Sequence, residues 1–282
     1  MVGLQANVLL KMIPDAGCHL NLSSGGRPAI LSPIVVNLSS RIDRWKSVQK
    51  NLSEVNIINP VRFNAQDGRY VLNETVNRLV SSDSAYPAVV PKSHLDLTRP
   101  ALGCFISHLQ IWKQFLTSSA ERVVVLEDDA LASAWLLGHE DSIIQSEFNA
   151  IPDDADLVLL GCNIIADLVS ETEHRRFQRV YYFNGTYAYA ITRRGCEKLL
   201  QHLVPARTHI DHQISRALVE CSEEIRAYVM NPMWFDHDYS SQSDASVPMD
   251  DMDFADQHFQ MVIDKTRAKL RSKGISLGKA LQ

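Results

Sequence analysis

Val123-Val124-Val125-Leu126-Glu127-Asp128-Asp129 decides how this chain reads: four apolar residues, three of them β-branched, run without interruption into three acids. Such a run predicts a central strand buried on both faces, since a strand covered on both sides has no reason to alternate. The pleat then sends successive carboxylates to opposite sides, while the strand end delivers all three to the carboxyl edge of the sheet. Like charges packed there call for positive compensation. A hard divalent cation bound through oxygen, its other positions filled by phosphate oxygens and water, supplies it. The same acids also suit the N-cap of a following helix.

Working outward, strands and helices alternate. Ile34 to Leu38 is a buried strand, followed by the polar Ser39-Ser40 and by Ile42, Trp45, Val48, Leu52 and Val55 at helical spacing. Val61 to Ala65 resumes β character and stops at Asp67-Gly68, a turn signal. Residues 81–100, polar and broken by Pro87, Pro91 and Pro100, read as a long functional loop. Leu102, Phe105, Leu109, Trp112 and Leu116 form the stripe of a second helix. Further strands fall at 157–160, 187–191 and 225–230, with helices at 195–202, 211–219 and about 255–273; residues 231–253 show no period. The alternation predicts an α/β fold with an open, mostly parallel sheet flanked by helices and ligands at the carboxyl ends of its strands. Residues 1–32, with Ser23-Ser24-Gly25-Gly26, read as a leader or arm, 33–250 as the functional domain, and 251–282 as a helical tail.

The bulk numbers fit that reading. A chain of 282 residues, 45% hydrophobic and 22% charged, buries a sizeable core. Its formal net charge of -5 excludes a general nucleic-acid binder, which needs a basic face. Anionic ligands must therefore be met locally. The five cysteines are widely spaced with no C-x-x-C pair, and no apolar run approaches the ~20 residues of a membrane span. A cytoplasmic chain is expected, with an acceptor that can be lipid-linked at the inner face of a membrane.

Other segments carry candidate chemistry. Asn37-Leu38-Ser39-Ser40-Arg41-Ile42-Asp43-Arg44 joins a strand end, a polar turn and two arginines, which is what a nucleotide needs, or else is a solvated helix face. No G-x-G-x-x-G or Walker A sequence is present. Ser107 and His108 are polar positions on the second helix, facing a site or satisfied inside the core; Cys104, one turn earlier, reads as packing. Asp211 is a helix N-cap or a positioned general base. His237, between Asp236 and Asp238, completes a metal shell begun by carboxylates or belongs to a surface acid run.

Together these segments resemble glycosyltransferase family 25, the lipooligosaccharide-type and collagen-type galactosyltransferases. The resemblance rests on Val36-Asn37-Leu38 with Arg41 and Arg44, Phe63-Asn64-Ala65-Gln66-Asp67-Gly68, Gly103-Cys104-Phe105-Ile106-Ser107-His108 with Trp112, and Val125-Leu126-Glu127-Asp128-Asp129. It continues through Leu159-Leu160-Gly161, Thr186-Tyr187-Ala188-Tyr189, Gly195 to Leu200 and Ile210-Asp211, in the family's order over about residues 34 to 245. It implies a single GT-A-like nucleotide-sugar-binding domain, a UDP-sugar donor such as UDP-galactose, Mn2+ or Mg2+ at the acidic motif, and inversion during transfer to a glycan or glycolipid hydroxyl. On that reading Asn37, Leu38, Arg41, Arg44, Asp67 and Asp128 seat the nucleotide, and Glu127, Asp129 and His237 hold the metal. Asp211 is the base, with Ser107 and His108 orienting the sugar or the loop covering it. One departure stands out: Arg99-Pro100-Ala101 occupies the place where such families carry Gly-Glu. Two other expectations are a binding protein without turnover and a metal-dependent phosphohydrolase, which would cleave simple phosphate esters.

Overall fold

The computed structural model describes residues 8–17, 19–20, 22, 30, 32–82, 91–165, 167–238 and 251–278. Strand β1 (Ile34–Asn37) leads into helix α1 (Ile42–Ser53), strand β2 (Val61–Asn64) and a 3-10 turn (Gly68–Tyr70). Helices α2 (Asn73–Leu79) and α3 (Arg99–Thr117) precede strands β3 (Arg122–Glu127) and β4 (Ala130–Ala132). Helices α4 (Ala134–Leu137) and α5 (Asp141–Asn149) come next, then strands β5 (Leu157–Ile164), β6 (Val169–Ser170), β7 (Phe177–Val180) and β8 (Phe183–Thr192). The chain continues through α6 (Arg193–Leu203), α7 (Ile210–Glu220), β9 (Ala227–Met230), β10 (Phe235–His237) and α8 (Met252–Ser272).

Eight strands form one sheet in the order β2-β1-β3-β8-β5-β9-β7-β6, and β10 pairs with β4 in a small second sheet. β1 is parallel to β2 and β3, and β5 to β9, while β8 and β7 run against their neighbours. The expected open, mostly parallel sheet is thus present, with antiparallel β8 at its centre.

The pleat divides two cores. Val123 and Val125 of β3, with Ile34 and Val36 of β1, face the layer of α3, α6 and α7. Val124 and Leu126, with Val35, face α1 and α5 on the other side. Continuing the alternation past Leu126 puts Glu127 on the α3 side and Asp128 on the α1 side, so the period of the strand sorts the acids before any side chain chooses a partner.

Three of the differences from the sequence reading shape the site. Helix α3 starts at Arg99, inside the segment read as loop, because the Thr98 hydroxyl accepts the Ala101 amide and Pro100 falls in the first turn, where its missing N–H costs nothing. Strand β8 begins at Phe183, ahead of a Gly185 with φ of +76° that masks its pattern. β10 lies in the stretch read as aperiodic, drawn in by pairing His237 opposite Ala130; positions 239–250 of that stretch lie outside the described residues. Described residues of the arm and of the tail also pack on the rest of the chain. Ile13 is buried in the α3-side core, and Lys113 of α3 donates to the Ile13 carbonyl at 2.9 Å. Ile263 and Leu270 of α8 pack with Tyr182 and Val219.

The turn after β2 is clamped to the start of α3. Gln66 donates its amide to the Ser107 hydroxyl at 2.8 Å, and the backbones of Gly68 and Gly103 meet so closely that a Cβ on Gly103 would stand 2.5 Å from the Gln66 carbonyl oxygen. Replacing a mid-helix glycine by alanine ordinarily stabilises by about 1 kcal/mol. Here Gly103→Ala is expected to lower the melting temperature, because rigid backbone must move; a higher melting temperature would show that the clamp is loose.

Candidate active site at the end of strand β3

Two cavities open at the carboxyl edge of the sheet and meet at a wall made by Cys104, Glu127 and Asp129. The larger, about 530 Å³, lies between the β1–α1 turn and the β2–α3 clamp; Leu38, Arg41, Arg44, Asp67 and Asp128 line it. The smaller, about 250 Å³, holds Asp211, His237, Thr186 and His209. Most of the nucleotide-binding candidates therefore gather in one chamber, with Asp211 and His237 in the other.

Asp128 turns toward α1, as the pleat dictates, and takes the Arg44 guanidinium at 2.8 Å and the Asn37 amide at 2.6 Å. Burial raises its pKa, against those two partners. Asn37 is itself fixed by Arg62, whose Nε donates to its Oδ1 at 2.8 Å. Asn37, expected to help seat the nucleotide, is 1% exposed and lines neither cavity; its amide orients Asp128.

Glu127 faces α3 and accepts a hydrogen bond from the Thr186 hydroxyl. His108 Nε2 lies behind it at 3.7 Å. Trp112 Nε1, which can only donate, gives its proton to the Tyr189 oxygen at 2.9 Å, and Tyr189 sits 2.8 Å from His108 Nδ1. Tyr189 either gives its proton to Nδ1, which leaves Nε2–H turned toward Glu127, or accepts from Nδ1–H through its second lone pair. Although burial works to raise the Glu127 pKa, His108 and Thr186 bring it below the ordinary value. His108 is fully buried and reaches neither cavity, so it positions Glu127 and does not orient a sugar. Ser107 is likewise satisfied inside the core, the second of the two readings of this pair. Its hydroxyl accepts from Gln66 and donates to the Gly103 carbonyl at 2.7 Å, both inside the clamp.

Asp129 is left short of charge. Arg44 stands 3.5 Å from its Oδ2 and His237 Nε2 4.0 Å, while its buried Oδ1 has no hydrogen-bond partner. Burial, reinforced by Glu127, pushes its pKa up to about 7. The β10–β4 pairing brings His237 here, its ring 4.6 Å from that of Tyr187 and its pKa lowered by burial. A buried oxygen without a partner beside two more carboxylates suits a divalent cation, and Glu127 and Asp129, with His237 alongside, are the groups that would hold it.

Asp211 sits in the first turn of α7, whose cap residue is His209. Its Oδ2 accepts the Gly185 amide at 2.7 Å and its Oδ1 the His212 amide at 2.8 Å. Burial opposes ionisation, but His212, His209 and these amides hold the carboxyl below its usual range. Asp211 thus pins the β8 backbone to the cavity wall and stays charged. Among the members of this site, Cys104 reads in the sequence as packing and Thr186 only as part of a motif, with no site role for either. Thr186 stands two residues ahead of an apolar β run, and Cys104 shares a helical face with His108; either pattern is a signal, and neither is specific.

The acid-lined double cavity at the carboxyl edge of the sheet lies within a chain whose family the comparisons with known proteins identify. The model described as glycosyltransferase family 25 (LPS biosynthesis protein) matches residues 31–214, and the chain belongs to that family. It is 32% identical over 169 residues to the probable inactive glycosyltransferase 25 family member 3 of Bos taurus, covering 59% of this chain and 28% of that one. It is 26% identical over 174 residues to procollagen galactosyltransferase 1 of Danio rerio, with the same coverage. The chain thus spans about 28% of the length of these relatives. Among solved structures, a glycosyltransferase involved in glycosylation of the major capsid of PBCV-1 superposes with a TM-score of 0.41 at 11% identity, covering 82% of this chain and 98% of that one.

The raised Asp129 pKa sets a pH dependence. Between about pH 4 and 7 the folded chain holds a proton on Asp129 that the unfolded chain has released, so this group's contribution to stability falls as pH rises through that window. Asp129→Asn, in EDTA, is expected to gain stability over the parent at pH 8 and little at pH 4, read from urea midpoints. An equal effect at both pH values would show that Asp129 ionises normally.

Proposed function

We propose that this chain transfers a hexose, galactose being the first candidate, from a UDP-sugar to a hydroxyl of a glycan or glycolipid, with inversion and with the help of Mn2+ or Mg2+. The observation that carries this reading is the junction of the two cavities at Glu127 and Asp129, where the Asp129 Oδ1 lacks a partner. A divalent cation bound there supplies positive charge to the diphosphate as it departs.

The chain's own residues divide the remaining work. Arg41 and Arg44 line the larger cavity and offer guanidinium groups to phosphate, and Asp67, held toward Arg69 at the rim, shapes the nucleotide end. Arg44 also holds Asp128 in place and favours its ionised form against burial. Through His108 and Thr186 the carboxylate of Glu127 keeps one orientation on the wall between donor and acceptor. In the smaller cavity Asp211, fixed by two amides and still carrying spare lone pairs, takes the proton of the acceptor hydroxyl as it attacks. We place the reaction in the cytoplasm, with the acceptor reached from solution or from the inner face of a membrane.

A second reading is a nucleotide-sugar binder without turnover, favoured by the bovine relative named as probably inactive and by Arg99-Pro100 in the first turn of α3. One experiment separates the two. UDP-galactose binding, followed by calorimetry, is expected to require Mn2+, to vanish in EDTA and to fail in Asp129→Asn. Equal affinity in EDTA contradicts the metal-assisted site. Asp211→Asn is expected to keep donor affinity and lose transfer by a factor on the order of 10²–10⁴, measured as UDP release with a glycan acceptor. Binding with no UDP release by the parent chain across acceptors would favour the binder.

A further inference from the structure

We propose that Cys104, His108 and Glu127 form a second metal site, selective for zinc-type cations, in the wall between the two cavities. Cys104 and His108 are four residues apart on α3 and so share one face of the helix, and Glu127 meets them from β3. The sulfur, a ring nitrogen and a carboxylate oxygen all lie within 4.8 Å of one another, and His108 Nε2 is 3.7 Å from Glu127 Oε1. Ligand atoms around a tetrahedral zinc, at bond lengths of ~2.0–2.3 Å, stand about 3.4–3.6 Å apart, so modest side-chain rotation closes the set.

The independent sign of a ligand is His108. It is fully buried, and its Nε2, aimed at this point, has no hydrogen-bond partner. Its other nitrogen has the support a ligating histidine needs, since Tyr189 lies 2.8 Å from Nδ1 and is held in turn by Trp112. On binding, the imidazole proton moves to Nδ1 and is donated to the second lone pair of the Tyr189 oxygen. Nε2 then offers its lone pair, the Cys104 thiol releases one proton to solvent, and no oxidation state changes. Water from the adjoining cavities fills the fourth position.

The donor set of one sulfur, one nitrogen and one oxygen suits zinc and disfavours Mn2+ and Mg2+, which take oxygen. It therefore differs in kind from the site at Asp129, while sharing Glu127 with it. Zinc held here draws Glu127 away from the donor side. On the function proposed above, it opposes sugar-nucleotide binding.

Co2+, a spectroscopic stand-in for zinc, tests the site without reference to catalysis. Added to the reduced full chain, Co2+ is expected to give a sulfur-to-cobalt charge-transfer band that Zn2+ abolishes. Cys104→Ser should lose the band. Cys221→Ser should keep it, although Cys221 lies 3.5 Å from His202 and is the rival thiol–imidazole pair. Asp129→Asn should also keep it, which separates this site from failure of the sugar-nucleotide reading. No band in the parent chain, or a band that survives Cys104→Ser, overturns the proposal.

Discussion

The structure turns on a charge imbalance at the end of β3, where three consecutive carboxylates meet the guanidinium of Arg44. Arg44 is held at 8% side-chain exposure between Asp128 and Asp129, and removing one partner of such a buried pair costs about 3–5 kcal/mol. Full ionisation of the three carboxylates would leave two negative charges uncompensated around it. The surroundings either restrain that excess, as Asn37, Thr186 and His108 do, or leave it facing the cavities, as at Asp129 Oδ1.

From this constraint the site has an inner and an outer layer. Outer residues, Arg41, Arg44, Asp67, Asp211 and His237, line the cavities and can meet a ligand. Inner ones, Asn37, Arg62, Ser107, His108, Tyr189 and Trp112, reach neither cavity and fix the directions of the acids and of the β2–α3 clamp. The clamp matters because the larger cavity owes one wall to a turn that rests on bare glycine backbone. Site geometry is thus set by packing well behind the surface that a donor would touch.

Much of this was legible in the chain itself. The apolar run before Glu127 implied a buried strand, and the pleat implied that Glu127 and Asp128 part company; both follow from a period of two that tertiary contacts do not override. The segments at 34–44, 61–68 and 123–129 came together because parallel strands gather their carboxyl ends on one edge. What escaped was depth. A polar residue on an apolar helix reads the same whether it faces a ligand or a buried partner, so the sequence left Ser107 and His108 open between a site and the core until their partners were known. The depth of Asn37 was hidden in the same way. Pro100 concealed the start of α3 because proline reads as a breaker anywhere except a first turn. The pairing of β10 with β4, which brings His237 to the acids, has no local signature at all.

The central claim is that the unpartnered edge of Asp129 holds the cation that in turn holds a sugar nucleotide's diphosphate. Anomalous diffraction from crystals grown with Mn2+ and UDP tests it most directly, because it locates the ion without assuming a mechanism. The account predicts a manganese peak bonded to Asp129 at the junction of the two cavities, with the diphosphate in the larger one. UDP bound in that cavity with no manganese peak at Asp129 would contradict it.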